Sequence, residues 1–140
     1  VDSPRADIHR AAGNGDLAAV EEFLSKNTDV NMKDANSVSP LHWACDNGHY
    51  EVAALLLNHG ADIEARNESQ VTPLHRASWN GHERVVQLLI ERKCNVGARN
   101  ESQVTALHVA AGNGFRGVAL LLIENKADVI ARDASKSTPL

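Results

Sequence analysis

Seven histidines are the side chains of this sequence best suited to bind a metal ion or to transfer a proton. Six of them fall into two series in which neighbours stand 33 residues apart. If each member belongs to a separate copy of a repeated helix, neighbours lie roughly 10 Å apart, the spacing of packed helices. That separation is too large for a shared ion, so the spacing predicts structural histidines. The two series are His9, His42, His75 and His108, and His49 and His82.

Two cysteines, Cys45 and Cys94, could act as nucleophiles or as thiolate ligands. They form no Cys-x-x-Cys motif, and both stand where small residues are expected, so we interpret them as unreactive buried thiols. A chain with two cysteines is not a disulfide scaffold, which favours a reducing compartment, the cytosol or the nucleus. The sequence contains neither a glycine-rich phosphate loop nor a nucleophile motif. It therefore predicts no catalytic residue, no metal site and no cofactor.

Length and composition favour a single folded domain that spans residues 1–140. Hydrophobic residues make up 43% of the chain and aromatic residues only 4%, so the core must consist mainly of Leu, Val, Ile and Ala. The net charge of −4 argues against a nucleic-acid-binding protein, which would normally be basic. No apolar run approaches the ~20 residues that a membrane span requires, and the N-terminus has no signal-peptide pattern. We expect a monomer that binds neither nucleic acid nor membrane.

A 33-residue repeat organises the whole chain. Thr72-Pro73-Leu74-His75 recurs in related form at 39–42 and 105–108, and the eight residues 65–72 recur without change at 98–105. This periodicity divides the domain into four units, and a repeated supersecondary unit of this length indicates a stacked array. The units are 6–38, 39–71, 72–104 and 105–137, with the start of a fifth at 138–140. We expect the chain to be part of a larger protein.

Each unit has the pattern of two helices followed by an extended loop. Ser39 or Thr72 can cap the first helix, and the proline that follows suits the first helical position. An Asn-Gly pair ends that helix, because glycine readily adopts positive φ. Apolar residues at helical spacing then predict second helices at Tyr50–Asn58, Glu83–Glu91 and Arg116–Glu124. The fold class is therefore all-α, a solenoid of stacked helix-turn-helix units.

Thr-Pro-Leu-His, Asn-Gly-His and Gly-Ala-Asp at these offsets resemble the ankyrin repeat, most closely in unit 39–71. The resemblance implies β-hairpin-like loops that protrude from the stack, and histidines that join neighbouring repeats. It also implies a non-catalytic module that binds another protein through a concave groove and the loop tips. The family usually has glycine at each tip, and we expect the tips here to be mobile or reshaped. The residues in its place are Ser37, Gln70, Gln103 and Lys136.

The differences between units indicate where a partner would bind. Trp43 stands where other units have Arg or Val, and Trp79 stands where they have Gly or Asp, so the fold does not require either ring. The resemblance places these positions on the first helix, facing the groove. Exposed Trp and Arg are favoured at binding sites, although Trp43 could instead pack between repeats. The predicted partner-binding residues are Trp43, Asp46, Asn47, Glu68, Ser69, Arg76, Trp79, Asn80, Glu101, Ser102 and Asn113.

Three alternatives to a dedicated binding module remain. The chain could be a structural spacer within a longer array, and the repeated eight-residue block is also compatible with an engineered scaffold. An enzyme would need converging acid, base or nucleophile, which the sequence does not offer. Charge is divided unevenly: the first two units contain eleven acidic and four basic residues, and the last two contain six acidic and nine basic. Such a gradient could orient a dipolar partner.

Overall fold

The computed structural model describes the backbone of residues 4–140 and the side chains of residues 8–140; residues 1–3 of the predicted domain lie outside it. The described part contains eight α-helices and no β-strand, which confirms the all-α prediction. The second helices coincide with the predicted ranges. The helices are α1 Pro4–Asn14, α2 Leu17–Ser25, α3 Pro40–Asp46, α4 Tyr50–Asn58, α5 Pro73–Trp79, α6 Glu83–Glu91, α7 Ala106–Gly112 and α8 Arg116–Glu124.

The first helices begin where the sequence predicts them because a hydroxyl and a histidine cap them reciprocally. In α3, the Ser39 Oγ accepts a hydrogen bond from the His42 N–H, and the His42 Nδ1 accepts one from the Ser39 N–H. Thr72 begins α5 in the same way. A side-chain cap of this kind is worth about 1 kcal/mol. The start of each first helix is therefore fixed by local chemistry before any packing is considered.

The units pack as two parallel layers of helices. Each first helix contacts the first helix of the next unit, and each second helix does the same in the other layer. Ala44 and its counterparts Ala77 and Ala110 are completely buried, and these small side chains let neighbouring first helices approach closely. Larger aliphatic residues such as Leu41 and Leu56 fill the space between the layers. The result is one continuous core along the stack.

Histidines fix the boundary between units. The Nε2 of His42 lies 2.8 Å from the carbonyl oxygen of Val71, the residue before the next cap, and His75 makes the same bond to Val104. A carbonyl oxygen can only accept, so Nε2 carries the proton and Nδ1 remains free to accept the capping bond. Each ring thus ties the start of one helix to the start of the next unit.

A second set of rings crosses directly from unit to unit. The His49 ring lies against Gly15, so closely that a side chain on that glycine would overlap it, and its Nε2 lies 3.0 Å from the Gly13 carbonyl oxygen. His82 repeats both contacts one unit later. Glycine is therefore favoured at position 15 for two reasons: a side chain would overlap the His49 ring, and the φ of 72° disfavours residues that have a Cβ.

The loop tips retain the left-handed residue that the family pattern requires, although no glycine occupies it. The φ of Gln70 is 63°, and the Asn67 Oδ1 accepts hydrogen bonds from the N–H groups of Ser69 and Val71. The tips also bond to one another, as in the 3.0 Å bond from the Glu101 N–H to the Ser69 carbonyl oxygen. The expectation of reshaped tips is therefore wrong, because these bonds outweigh the local backbone strain.

A second left-handed position lies just after each second helix and provides an internal comparison. Gly60 occupies it in the second unit with a φ of 88°, whereas Lys93 occupies it in the third with a φ of 67°. A Cβ on Gly60 would meet no atom within 4 Å, so the two sites differ in backbone strain rather than in space. An L-residue held in this region costs roughly 1–2 kcal/mol, partly offset by the extra chain entropy of glycine.

We expect Lys93→Gly to raise the free energy of unfolding by about 0.5–1 kcal/mol, because it relieves this strain. The reciprocal change, Gly60→Lys, is expected to lower it by a similar amount. Urea denaturation followed by circular dichroism measures both. Equal stability of the two variants and the wild type would show that this position carries no strain.

Burial lowers the pKa of His42 to about 4, and the positive charges of Lys33 and Arg76 act in the same direction. The unfolded chain therefore binds a proton at this residue near pH 6.5, and the folded chain binds it only near pH 4. Burial also lowers the pKa of His75. Acidification through this window favours the unfolded state, because only the unfolded state takes up the protons.

The free energy of unfolding is expected to fall as the pH decreases from about 6.5 to about 4, with His42 accounting for about 3 kcal/mol. Urea denaturation at a series of pH values measures this slope. His42→Gln retains a side chain that can complete the cap but cannot titrate. It should flatten the pH dependence, and an unchanged slope in this variant would contradict the assignment.

Candidate functional site

A groove lies between the first helices and the loops that follow the second helices. Its central part is a depression of about 320 Å³, which α3 lines on one side and the loop residues Asn36 and Val38 line on the other. A second depression, of about 500 Å³, lies between Trp43 and α1. Two further depressions flank Trp79. The groove therefore consists of a row of small recesses separated by the two tryptophan rings.

Four groove residues form a two-by-two arrangement on adjacent helices, which we call the groove quartet. Trp43 and Asp46 lie one turn apart on α3, and Arg76 and Trp79 lie one turn apart on α5. The Arg76 guanidinium contacts the Asp46 carboxylate at 2.5 Å, and the Asn80 amide donates to the same carboxylate at 2.7 Å. The ion pair thus occupies one diagonal of the quartet, and the two tryptophans occupy the other.

Trp43 makes contacts within the stack and also exposes part of its ring. A methyl group on Gly13 would come within 3.2 Å of its Cε3, so the ring lies against α1. The indole Nε1 points to the Asp34 carboxylate at a distance of 3.4 Å. Even so, 39% of the residue remains exposed. The alternative in which Trp43 packs between repeats thus describes part of the side chain, and the rest is exposed beside the depressions of the groove.

Trp79 is the more exposed of the two tryptophans, with 52% of its surface accessible. It separates a depression of about 260 Å³, lined by Arg76 and Val104, from one of about 340 Å³ that includes His108. Corresponding positions in two other units are Gly13 and Gly112, so the fold accepts this position without a side chain. The ring is therefore an addition to the surface rather than a part of the core.

Asn47, Asn80 and Asn113 have a structural role in addition to the predicted one. The Asn47 amide donates to the Trp43 carbonyl oxygen at 3.0 Å, and the Asn80 amide donates to that of Arg76 at 3.1 Å. The Asn113 amide reaches across units to the Trp79 carbonyl oxygen at 3.1 Å. The Trp43 and Arg76 carbonyl oxygens also accept the main-chain N–H groups of Asn47 and Asn80, so the side-chain amides reinforce the ends of these short helices. All three residues remain exposed.

The four predicted tip residues lie together on adjacent loops. Glu68 and Ser69 are exposed at one tip, and Glu101 and Ser102 are exposed at the next. Main-chain hydrogen bonds join successive tips, including one of 2.8 Å from the Ala134 N–H to the Ser102 carbonyl oxygen. Ser102 also lines the depression beside Trp79. The tips thus form a polar edge along one side of the groove.

Asp34 lines both depressions beside Trp43, although the sequence did not single it out. Its Oδ1 accepts the N–H groups of Asn36 and Val38, which is the turn that Asn67 forms one unit later. Burial opposes ionisation of this carboxyl, but the two N–H bonds and the Trp43 indole outweigh it and lower its pKa. The sequence did contain a clue: the equivalent position is Asn in two other units, at Asn67 and Asn100, which shows that the turn does not need a charge.

The two cysteines differ in their surroundings. Cys45 is completely buried, and burial raises the pKa of its thiol far above the physiological range. Cys94 is only half-buried, so the prediction of a fully buried thiol is wrong for this residue. It lies at the start of the loop after α6, where the counterparts Ala61 and Ala127 are half-buried as well. Burial still raises the pKa of Cys94 to about 12, which disfavours the reactive thiolate.

The histidines and carboxylates do not converge. Among residues 8–140, no group of three His, Cys, Asp or Glu side chains is placed to hold a metal ion. No helix of the described part is both long and apolar enough to span a membrane. The groove offers aromatic, hydrogen-bonding and charged surface.

The comparisons with known proteins agree with this architecture. A family model described as ankyrin repeats in three copies matches residues 8–100, and a model of the single ankyrin repeat matches residues 103–134. No curated protein matches the chain. Ankyrin repeats are generally protein–protein interaction modules and are typically non-catalytic. The match covers well over half of the chain, and the chain therefore belongs to the ankyrin-repeat family.

Proposed function

We propose that this chain binds a protein partner in the groove, with the groove quartet at the centre of the contact and the tips at its edge. The central residues are Trp43, Asp46, Arg76 and Trp79. Asn47, Asn80 and Asn113 lie along the helix ends, and Glu68, Ser69, Glu101 and Ser102 form the polar edge. The chain acts by shape and chemical complementarity, without catalysis or a cofactor.

The observation that carries this proposal is the exposure of two tryptophans on one face. Trp43 and Trp79 are 39% and 52% exposed, and no other unit has an aromatic residue at either position. Exposed tryptophan costs free energy in water, and this cost is recovered when a partner covers the ring. Because neither ring is required by the repeat, partner binding is the role that explains both.

The scaffold beneath the rings also supports recognition. The quartet lies on two capped helices, and the His42 ring of the first makes a partly buried hydrogen bond to Val71, the residue before the second cap, so the quartet side chains start from a fixed backbone. A surface that is already ordered loses less entropy on binding. Flanking Asn and Ser groups can supply hydrogen bonds around an apolar centre, which is the usual anatomy of a specific interface.

Trp79→Ala is expected to weaken partner binding by about 2 kcal/mol or more, roughly thirtyfold in Kd, because it removes the most exposed aromatic side chain of the groove. The stability should change little, because Gly13 and Gly112 occupy the same position in other units. Affinity purification with quantitative mass spectrometry, followed by calorimetry on the recovered protein, measures the effect.

Leu120→Ala is the matched control. Leu120 is 49% exposed but lies on α8, in the outer helix layer. Its removal should leave partner binding unchanged. If wild type, Trp79→Ala and Leu120→Ala recover the same proteins in equal amounts while all three melt alike, the groove is not the binding surface. That result would favour the structural spacer instead.

A further inference from the structure

Asp34 carries a charge that its structural role does not need. Its Oδ1 accepts the Asn36 and Val38 N–H groups at 2.9 and 3.0 Å. Asn67 makes the equivalent pair of bonds at 2.8 and 3.0 Å with a neutral amide. The turn is therefore equally well formed without the carboxylate, just as the first helices are formed without tryptophan. The turn therefore does not explain why position 34 carries a negative charge.

The second oxygen of Asp34 faces the groove beside an aromatic ring. Asp34 Oδ2 receives the Trp43 indole N–H at 3.4 Å, which is a long and weak hydrogen bond. The same carboxylate lines the depression of about 320 Å³ next to the exposed face of Trp43. A cation in that depression would reach a carboxylate and the face of an indole ring together, which is a favourable combination.

The other charged groups of this depression do not neutralise Asp34. The Arg76 guanidinium is the cation that lines it, and Arg76 is held by Asp46 at 2.5 Å. His42 also lines the depression and is neutral at physiological pH because burial lowers its pKa to about 4. The depression is therefore lined by two carboxylates, Asp34 and Asp46, and by one cation, Arg76. Arg10 and His9 line the neighbouring depression on the other side of Trp43, and the electrostatic interaction with His9 contributes to the lowered pKa of Asp34.

We infer that this depression receives an arginine or lysine side chain of the partner, with the Asp34 carboxylate as its counter-ion and the Trp43 ring as its wall. Sites for small ligands begin at roughly 300 Å³, so a space of this size holds one long side chain. The inference rests on the proposed function and specifies it further. The partner contributes a basic segment to the N-terminal half of the groove and an apolar segment to Trp79.

The charge of the array agrees with this orientation. The first two units contain eleven acidic and four basic residues, whereas the last two contain six acidic and nine basic. A basic segment is therefore attracted toward the end of the groove that holds Asp34 and is disfavoured at the other end. The gradient assigns a direction to the bound segment as well as a charge.

The test uses peptides selected from a random display library against the whole chain. Selected peptides whose affinity falls in Trp79→Ala or Trp43→Ala are groove ligands, and these are expected to contain a conserved arginine or lysine. Their affinities are then measured by calorimetry for wild type and Asp34→Asn. Asn preserves the turn, as positions 67 and 100 show, so the melting temperature of this variant should match that of the wild type.

We expect Asp34→Asn to raise the Kd of the groove peptides about tenfold. Replacing the critical peptide arginine by citrulline, or the lysine by acetyl-lysine, should weaken binding to wild type similarly but have little further effect on Asp34→Asn. Asp62→Asn is the matched control, because the exposed Asp62 lines none of these depressions, and Asn95 forms the same turn one unit later. It should leave the affinity unchanged.

Three outcomes would overturn this inference, and they differ in what they imply for the proposed function. Groove peptides that bind wild type and Asp34→Asn equally, or that lose nothing on citrulline substitution, would overturn the cation site while leaving groove binding in place. A library that yields no peptide dependent on either tryptophan would overturn both. Equal weakening by Asp34→Asn and Asp62→Asn would show that the effect is general charge attraction, and it would also overturn the cation site.

Discussion

The structure depends on the hydrogen bond from each first-helix histidine to the main-chain carbonyl before the next unit. His42 and His75 are both buried, so an unmatched polar group there would cost about 1–3 kcal/mol. The same ring completes the helix cap through its other nitrogen, as the 3.2 Å contact with the Ser39 N–H shows. One side chain therefore sets both where a helix starts and where the following unit begins. Because every unit repeats this bond, every first helix presents the same face to the groove.

A scaffold fixed in this way leaves the groove residues free to differ. The position of Trp43 holds Arg76 one unit later and Val109 in the unit after that, with no change in helix bounds. Asp34 and Asn67 likewise form the same turn with different charge. The buried columns thus determine the fold and the exposed columns can encode recognition. The residues on which the proposed function rests are therefore those that differ between equivalent positions of the units.

The sequence predicted the helices well because their ends are specified locally by hydroxyl caps, proline and Asn-Gly pairs. It predicted reshaped tips wrongly, because the strain at Gln70 is visible in the sequence, whereas the bonds from Asn67 and between tips appear only in three dimensions. The same limit applies to the groove. Trp43 and Trp79 stand out by residue type alone, but the pairing of Arg76 with Asp46 depends on the register of two helices that are distant in sequence. Asp34 was missed because an aspartate in a turn is indistinguishable by sequence from a purely structural one.

The pairing of Arg76 with Asp46 changes how the quartet is expected to bind. A guanidinium held at 2.5 Å by one carboxylate would lose that partner if it turned toward a ligand, and Asp46 would then keep only the Asn80 amide. Breaking a half-buried pair without replacing both partners is unfavourable. Arg76 therefore serves the proposed interface best where it stands, neutralising Asp46 between the two rings. With this pair satisfied, Asp34 supplies the remaining negative charge of the recess between Trp43 and Arg76, at a position where the turn itself would have allowed a neutral residue.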